Sequence, residues 1–164
     1  MLARSAAVIV ALLAAAGAGA ASHHGLAGCT ITGSARADDI TGTHGRDVIC
    51  GLGGADRINA LGGDDRVLGG GGNDMLVGGT GRDVLLGEAG DDVLDGVGGA
   101  DTVNGGIGAD QLNGGVGYDT FLGGPGADYL YARDGERDVL DGGPGIDGAR
   151  IDKPYDRLTR VEST

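Results

Sequence analysis

The sequence has almost none of the side chains from which a compact core is ordinarily built. It has no tryptophan, one phenylalanine and four tyrosines, so aromatics make up 3% of its 164 residues. A conventional core of large interlocking side chains is thereby excluded. Basic residues are also scarce, 12 Lys and Arg against 24 Asp and Glu, for a net charge of -12. Such a surface repels nucleic acid and anionic lipid and attracts cations. There is no zinc-type spacing of His and Glu and no nucleophile elbow. Gly-x-Gly-x-x-Gly strings occur, but without the helix that would make them phosphate loops. The reading is therefore that the chain is not an enzyme. No apolar run is long enough for a permanent bilayer span. The longest, Val8 to Ala16, follows Arg4 and precedes the small residues Ala18-Gly19-Ala20. That pattern is expected for a secretory signal peptide over residues 1–21, cleaved on export, which places the mature protein outside the cell.

Glycine is abundant instead, 38 of 164 residues, and it is periodic. From Gly33 onward the chain repeats every nine residues as Gly, Gly, any, Gly, any, Asp, any, apolar, any. Position six holds Asp38, Asp47, Asp56, Asp65, Asp74, Asp83, Asp92, Asp101, Asp110, Asp119 and Asp128 without a slip. Position eight is always apolar, from Ile40 and Ile49 to Phe121 and Leu130. A fixed period of this kind marks a solenoid. Glycine-rich positions one to six predict a tight turn. Positions seven to nine predict a short strand whose middle residue alone faces inward. Two units make one eighteen-residue coil, and stacked coils make two parallel sheets, with five to six coils expected.

The aspartates then stand in two ladders of like charge. Close carboxylates near a protein surface repel by up to about 4 kcal/mol per pair. The glycines add entropy cost on folding, and the apolar seam is thin. Without metal the chain is expected to be poorly ordered. A hard dication held by carboxylates and turn carbonyls would reverse that balance, which suits calcium.

The repeat resembles the calcium-binding nonapeptide of the RTX and hemolysin-type proteins, over about Gly33 to Asp147, and the whole chain is similar to the short secreted actinobacterial type. The resemblance implies an all-β, right-handed parallel β-roll with several calcium ions, one between each turn and the turn one coil away. It implies carboxylate ligands at Asp47, Asp56, Asp65, Asp74, Asp83, Asp92, Asp101, Asp110, Asp119, Asp128, Asp138 and Asp147. It implies carbonyl ligands near Gly69, Gly72, Gly78, Gly81, Gly105, Gly108, Gly114, Gly117, Gly123 and Gly126. The first unit departs from the pattern with Arg36 at position four. Ala132 to Asp141 has ten residues, so its turn is expected to widen, and Asp138 restores the spacing. Residues 22–32 are expected to form an N-terminal segment and cap strand, residues 33–149 the roll, and residues 150–164 a terminal cap.

Cys29 and Cys50 are the only cysteines, and in an exported protein a disulfide closing the N-terminal end is expected. His23 and His24 read as a polar terminus and His44 as an exposed turn residue. The outward sheet positions would carry any partner contact, and the face bearing Leu68, Val84 and Leu86 is the more apolar. The expected function is calcium binding coupled to folding. A calcium-dependent surface adhesin or scaffold is the alternative, and a module associated with an extracellular hydrolase a more remote one.

Overall fold

The computed structural model describes residues 7–10, 28–152 and 154–161. These residues form sixteen strands and no helix. They are β1 (Ala7–Val10), β2 (Ile31–Thr32), β3 (Asp38–Thr41), β4 (Val48–Gly53), β5 (Arg57–Asn59), β6 (Arg66–Gly71), β7 (Met75–Thr80), β8 (Val84–Ala89), β9 (Val93–Gly98), β10 (Thr102–Ile107), β11 (Gln111–Asn113), β12 (Thr120–Leu122), β13 (Tyr129–Ala132), β14 (Val139–Asp141), β15 (Gly148–Ile151) and β16 (Arg157–Thr159). The odd-numbered strands form one parallel eight-stranded sheet and the even-numbered strands the other. Each strand pairs with the strand two ahead, and in the regular part partners are eighteen residues apart, as Leu76 is from Leu94 and Leu85 from Val103. The architecture is a parallel β-solenoid of about seven turns.

The turn count corrects the expected five to six. The ends continue the ladder with residues that the glycine–aspartate pattern does not mark. At the N-terminal end Ile31 pairs with Ile49. At the C-terminal end Leu140 pairs with Leu158. The tail therefore supplies the last rung of the even-numbered sheet, β16, and completes that of the odd-numbered sheet, β15. β1 adds to the edge of β3, with Ile9 opposite Ile40. The expected cleavage segment Ala18 to Ala20, and His23 and His24, lie outside the described residues.

Strand length also differs from expectation. β4, β6, β7, β8, β9 and β10 each span six residues rather than three. Their extra residues are the first half of the next turn, which pairs with the turn one coil away, as Leu52 does with Gly70. Stacking extends the ladder beyond the apolar triplet because the turns repeat at the same spacing as the strands.

The core is the line of position-eight side chains. Ile40, Ile49, Val67, Leu76, Leu85, Val103, Leu112, Phe121, Leu130 and Leu140 are fully buried in one cluster. This seam is one side chain wide on each sheet, so a cavity in it has few neighbours that can close it. Leu85 lies between Val67 and Val103 on its ladder. Leu85→Ala should cost about 2–5 kcal/mol, measured by denaturant unfolding in saturating calcium, and Leu68→Ala on the outer face should cost far less.

Leu68, Val84 and Leu86 are half-buried. The most exposed large hydrophobic residues are instead on the turns: Ile107, Val116, Tyr118 and Ile146. Cys29 and Cys50 form a disulfide with Cα atoms 6.1 Å apart, tying the N-terminal rung to the next. Cys29 stands nine residues before Asp38 and so takes the position-six place in the lowest turn.

The ten-residue unit keeps the ladder in step by widening its turn. Asp134 accepts hydrogen bonds from the Gly117 N–H at 2.8 Å and the Glu136 N–H at 2.9 Å. A side-chain carboxylate there takes a place that a backbone carbonyl fills elsewhere, as when the Gly99 N–H bonds the Val116 carbonyl. The position-six spacing becomes nineteen residues, from Asp119 to Asp138 and from Asp128 to Asp147.

Candidate metal centre

Positions one to six turn the chain from one sheet to the other, so successive turns alternate between the two edges of the solenoid. Every position-six aspartate from Asp38 to Asp147 is buried, with no more than 6% of its surface exposed. Burying that many carboxylates is costly unless each is paired. One oxygen is paired in the same way throughout. Asp74 Oδ1 accepts the Asp56 N–H at 2.8 Å, and Asp92 Oδ1 accepts the Asp74 N–H at 2.7 Å. On the other edge Asp83 Oδ1 accepts the Asp65 N–H at 2.9 Å, and Asp101 Oδ1 accepts the Asp83 N–H at 2.8 Å. The carboxylates thus stitch each coil to the one before it.

The second oxygen is not paired. Oδ2 of Asp56, Asp65, Asp74, Asp83, Asp92, Asp101, Asp110, Asp119, Asp128, Asp138 and Asp147 is buried without a hydrogen-bond partner. It faces position one of its own turn, where the carbonyl of the next turn also arrives. A Cβ on Gly51 would lie 2.5 Å from Asp56 Oδ2 and 2.4 Å from the Gly69 carbonyl oxygen. A Cβ on Gly87 would lie 2.4 Å from both Asp92 Oδ2 and the Gly105 carbonyl oxygen. Glycine at position one keeps this oxygen-lined space clear in nine of the eleven turns, while Ala60 and Ala132 stand there in the turns of Asp65 and Asp138. Position two takes positive φ in every one of these turns except the widened one at 132–138, in glycines such as Gly70 (109°) and Gly79 (110°) and also in Leu52 (82°), Leu61 (77°), Glu88 (75°) and Val97 (75°). A left-handed conformation in a branched or bulky residue costs of order 1–3 kcal/mol. Position-four carbonyls point along the stack, so a Cβ on Gly81 would come 1.9 Å from the Gly63 oxygen.

Electrostatics make the same point. Burial pushes the carboxyls of Asp74, Asp110 and Asp138 up to about 6 and that of Asp101 up to about 7. Backbone hydrogen bonds partly oppose this rise, and neighbouring aspartates on the same ladder add to it. The carboxyls of Asp56, Asp65, Asp83, Asp92, Asp119 and Asp128 are also raised, with burial again the largest cause. A cation among them would offset both the lost hydration and the repulsion.

The donor set is hard oxygen: carboxylate and backbone carbonyl, with no free thiol among the described residues. No group of three or more His, Cys, Asp and Glu side chains converges among the described residues. The carboxylates instead come singly from successive turns, so backbone carbonyls must complete any coordination shell. That donor set fits calcium, which takes 6–8 oxygens in flexible geometry.

The structure brings eleven of the twelve expected aspartates into this arrangement. Asp47 differs, since its Oδ2 accepts the Thr43 N–H at 2.7 Å and the Thr43 hydroxyl at 2.8 Å. Asp156 is an addition. It continues the ladder, with its Oδ1 accepting the Asp138 N–H at 3.2 Å. Its signal in the sequence is the nine-residue step from Asp147 with Leu158 two places on, obscured by Pro154 at position four.

The sequence profile described as RTX calcium-binding nonapeptide repeat (4 copies) matches residues 30–58, 45–76, 68–103, 104–137 and 119–148. No curated protein matches the chain. The matched segments run without a gap from the first rung to the last regular turn, and two of the matched nine-residue repeats make one eighteen-residue coil of the solenoid. On that ground the chain belongs to the RTX calcium-binding nonapeptide-repeat family.

Proposed function

We propose that the chain is a calcium-binding protein whose β-roll is completed by ions held between successive turns, and that loading drives folding. The observation that carries this reading is the row of buried, unpartnered Oδ2 atoms from Asp56 to Asp147. The ligands are those carboxylates, together with the carbonyls of turn positions one, two and four. An ion bound only by the folded chain stabilises it by mass action. Extracellular calcium modules bind at about 10⁻⁴ to 10⁻³ M. In that range the chain stays loose at low internal calcium and orders after export. Its role is structural and ion-binding rather than catalytic, and the signal-like N-terminal run supports secretion.

Circular dichroism and calorimetry across a calcium titration test this. The β signal should be weak in chelator and rise cooperatively by about 1 mM calcium, with heat and ion uptake tracking the folding. A fully formed β spectrum in excess chelator, unchanged by calcium, would overturn the coupling. Absence of calcium uptake would overturn the function.

A further inference from the structure

We propose that the metal-responsive part of the chain runs from the turn at 51–56 to the turn at 142–147. The turns at 33–38, 42–47 and 151–156 are metal-independent ends. This rests on the calcium reading above and says which turns it applies to.

Beside the widened turn at 132–138, whose Asp138 Oδ2 is also unpartnered, two kinds of turn are present, and the orientation of one peptide separates them. In the three end turns the position-two N–H points inward and occupies the carboxylate oxygen left free elsewhere. The Ser34 N–H donates to Asp38 Oδ2 at 2.6 Å, the Thr43 N–H to Asp47 Oδ2 at 2.7 Å, and the Asp152 N–H to Asp156 Oδ2 at 2.7 Å. In the regular interior turns position two has positive φ, and the Oδ2 of that turn has no partner. Positive φ is absent from positions two and four of all three end turns. Their residues suit the ordinary conformation. Thr43 adds its own hydroxyl to the carboxylate. Pro154 fixes φ near -65°, and Arg36 has a side chain that the stacked position-four carbonyls of the interior would not admit.

A backbone N–H and a cation cannot occupy the same carboxylate oxygen. An ion entering an end turn would have to break a charge-assisted hydrogen bond and turn a peptide over. An ion entering an interior turn meets an oxygen that has no partner to lose. The ends also have metal-free ties. The Cys29–Cys50 disulfide holds the first rungs. Arg160 pairs with Asp141, and Arg133 lies 3.7 Å from Asp152, across the last ones. The solenoid thus begins and ends in rungs that need no ion, with the calcium-dependent coils between them.

Calorimetric titration with calcium chloride, counting ions per chain, tests this on the full chain and four single variants. Asp38→Asn, Asp47→Asn and Asp156→Asn should keep the wild-type ion count and a folding midpoint within about twofold. Asp83→Asn should lose ions and raise the midpoint severalfold. The two ends are independent tests, so a folding failure at one leaves the other to decide. Loss of ions by Asp47→Asn or Asp156→Asn equal to that of Asp83→Asn would overturn the proposal. So would twelve ions bound to the wild type, one for each gap bridged by a position-six hydrogen bond. No calcium uptake by any form would instead defeat the functional reading on which the proposal rests.

Discussion

In excess chelator, lowering the pH from about 8 to about 4 should raise the β-structure content of the chain. The interior carboxyls have raised pKa values in the folded state, about 6 for Asp74, Asp110 and Asp138 and about 7 for Asp101. In the unfolded chain they stay near the ordinary carboxyl value of 3.8. The folded form therefore holds protons more tightly than the unfolded form. Its stability is greatest below about pH 4 and falls as the pH rises through 6 to 7. This is opposite to the usual behaviour of a salt-bridged carboxylate, because burial and like charges dominate here. A proton on Oδ2 removes the charge that makes burial costly, as a calcium ion offsets it. Far-UV circular dichroism along a pH titration in chelator measures the effect. A chain that remains unordered at pH 4, or loses structure on acidification, would contradict it. Asp101→Asn separates the two ways of removing charge. It should raise the β signal in chelator at pH 7 and reduce the further gain from calcium.

Replacing Gly99 with alanine should be among the most damaging single changes available, and replacing Gly71 one of the mildest. Both are exchanges of hydrogen for methyl in a glycine-rich turn. At Gly99 the new Cβ would lie 1.5 Å from the Gly81 carbonyl oxygen, with φ at 143°. The contact is with backbone, so no side chain can move aside. The stacked coils would have to separate at that edge, at a cost of about 4 kcal/mol or more. At Gly71, position three, a Cβ would meet nothing within 4 Å. Thermal unfolding in saturating calcium should show a large loss of melting temperature for Gly99→Ala and little change for Gly71→Ala. Calcium titration should show Gly99→Ala losing affinity as well, because the displaced turn supplies carbonyls to the same gap. Equal effects at the two positions would mean that composition, rather than stacking, sets the glycine requirement.

The sequence made the repeating part of the molecule legible for a simple reason. In a solenoid, neighbours in space are neighbours at a fixed offset in the chain. The alternation of Leu76, Leu85 and Leu94 with Asp74, Asp83 and Asp92 therefore reads directly as two apolar ladders and two acidic edges. The same logic failed at the ends, where the letters change but the ladder does not. Ile31 and Leu158 pair in register without glycine-rich turns before them, so the solenoid is longer than its motif. Pro154 conceals the turn of Asp156 in the sequence, and Asp47 reads like an interior aspartate because its unit has glycine at position four.

The sequence by itself determined the period, the inward side chain and the residue that carries charge at each turn. Each of these depends only on a residue's place within nine. Only the tertiary structure decided which carboxylate oxygen is engaged, how far the strands run into the turns, and which turns present a free oxygen to an ion. Those depend on the direction of single peptide groups, set by contact with the coil above and the coil below. Ser34, Thr43 and Asp152 turn an N–H toward the carboxylate, while Leu52, Leu61, Glu88 and Val97 take a strained conformation that turns it away.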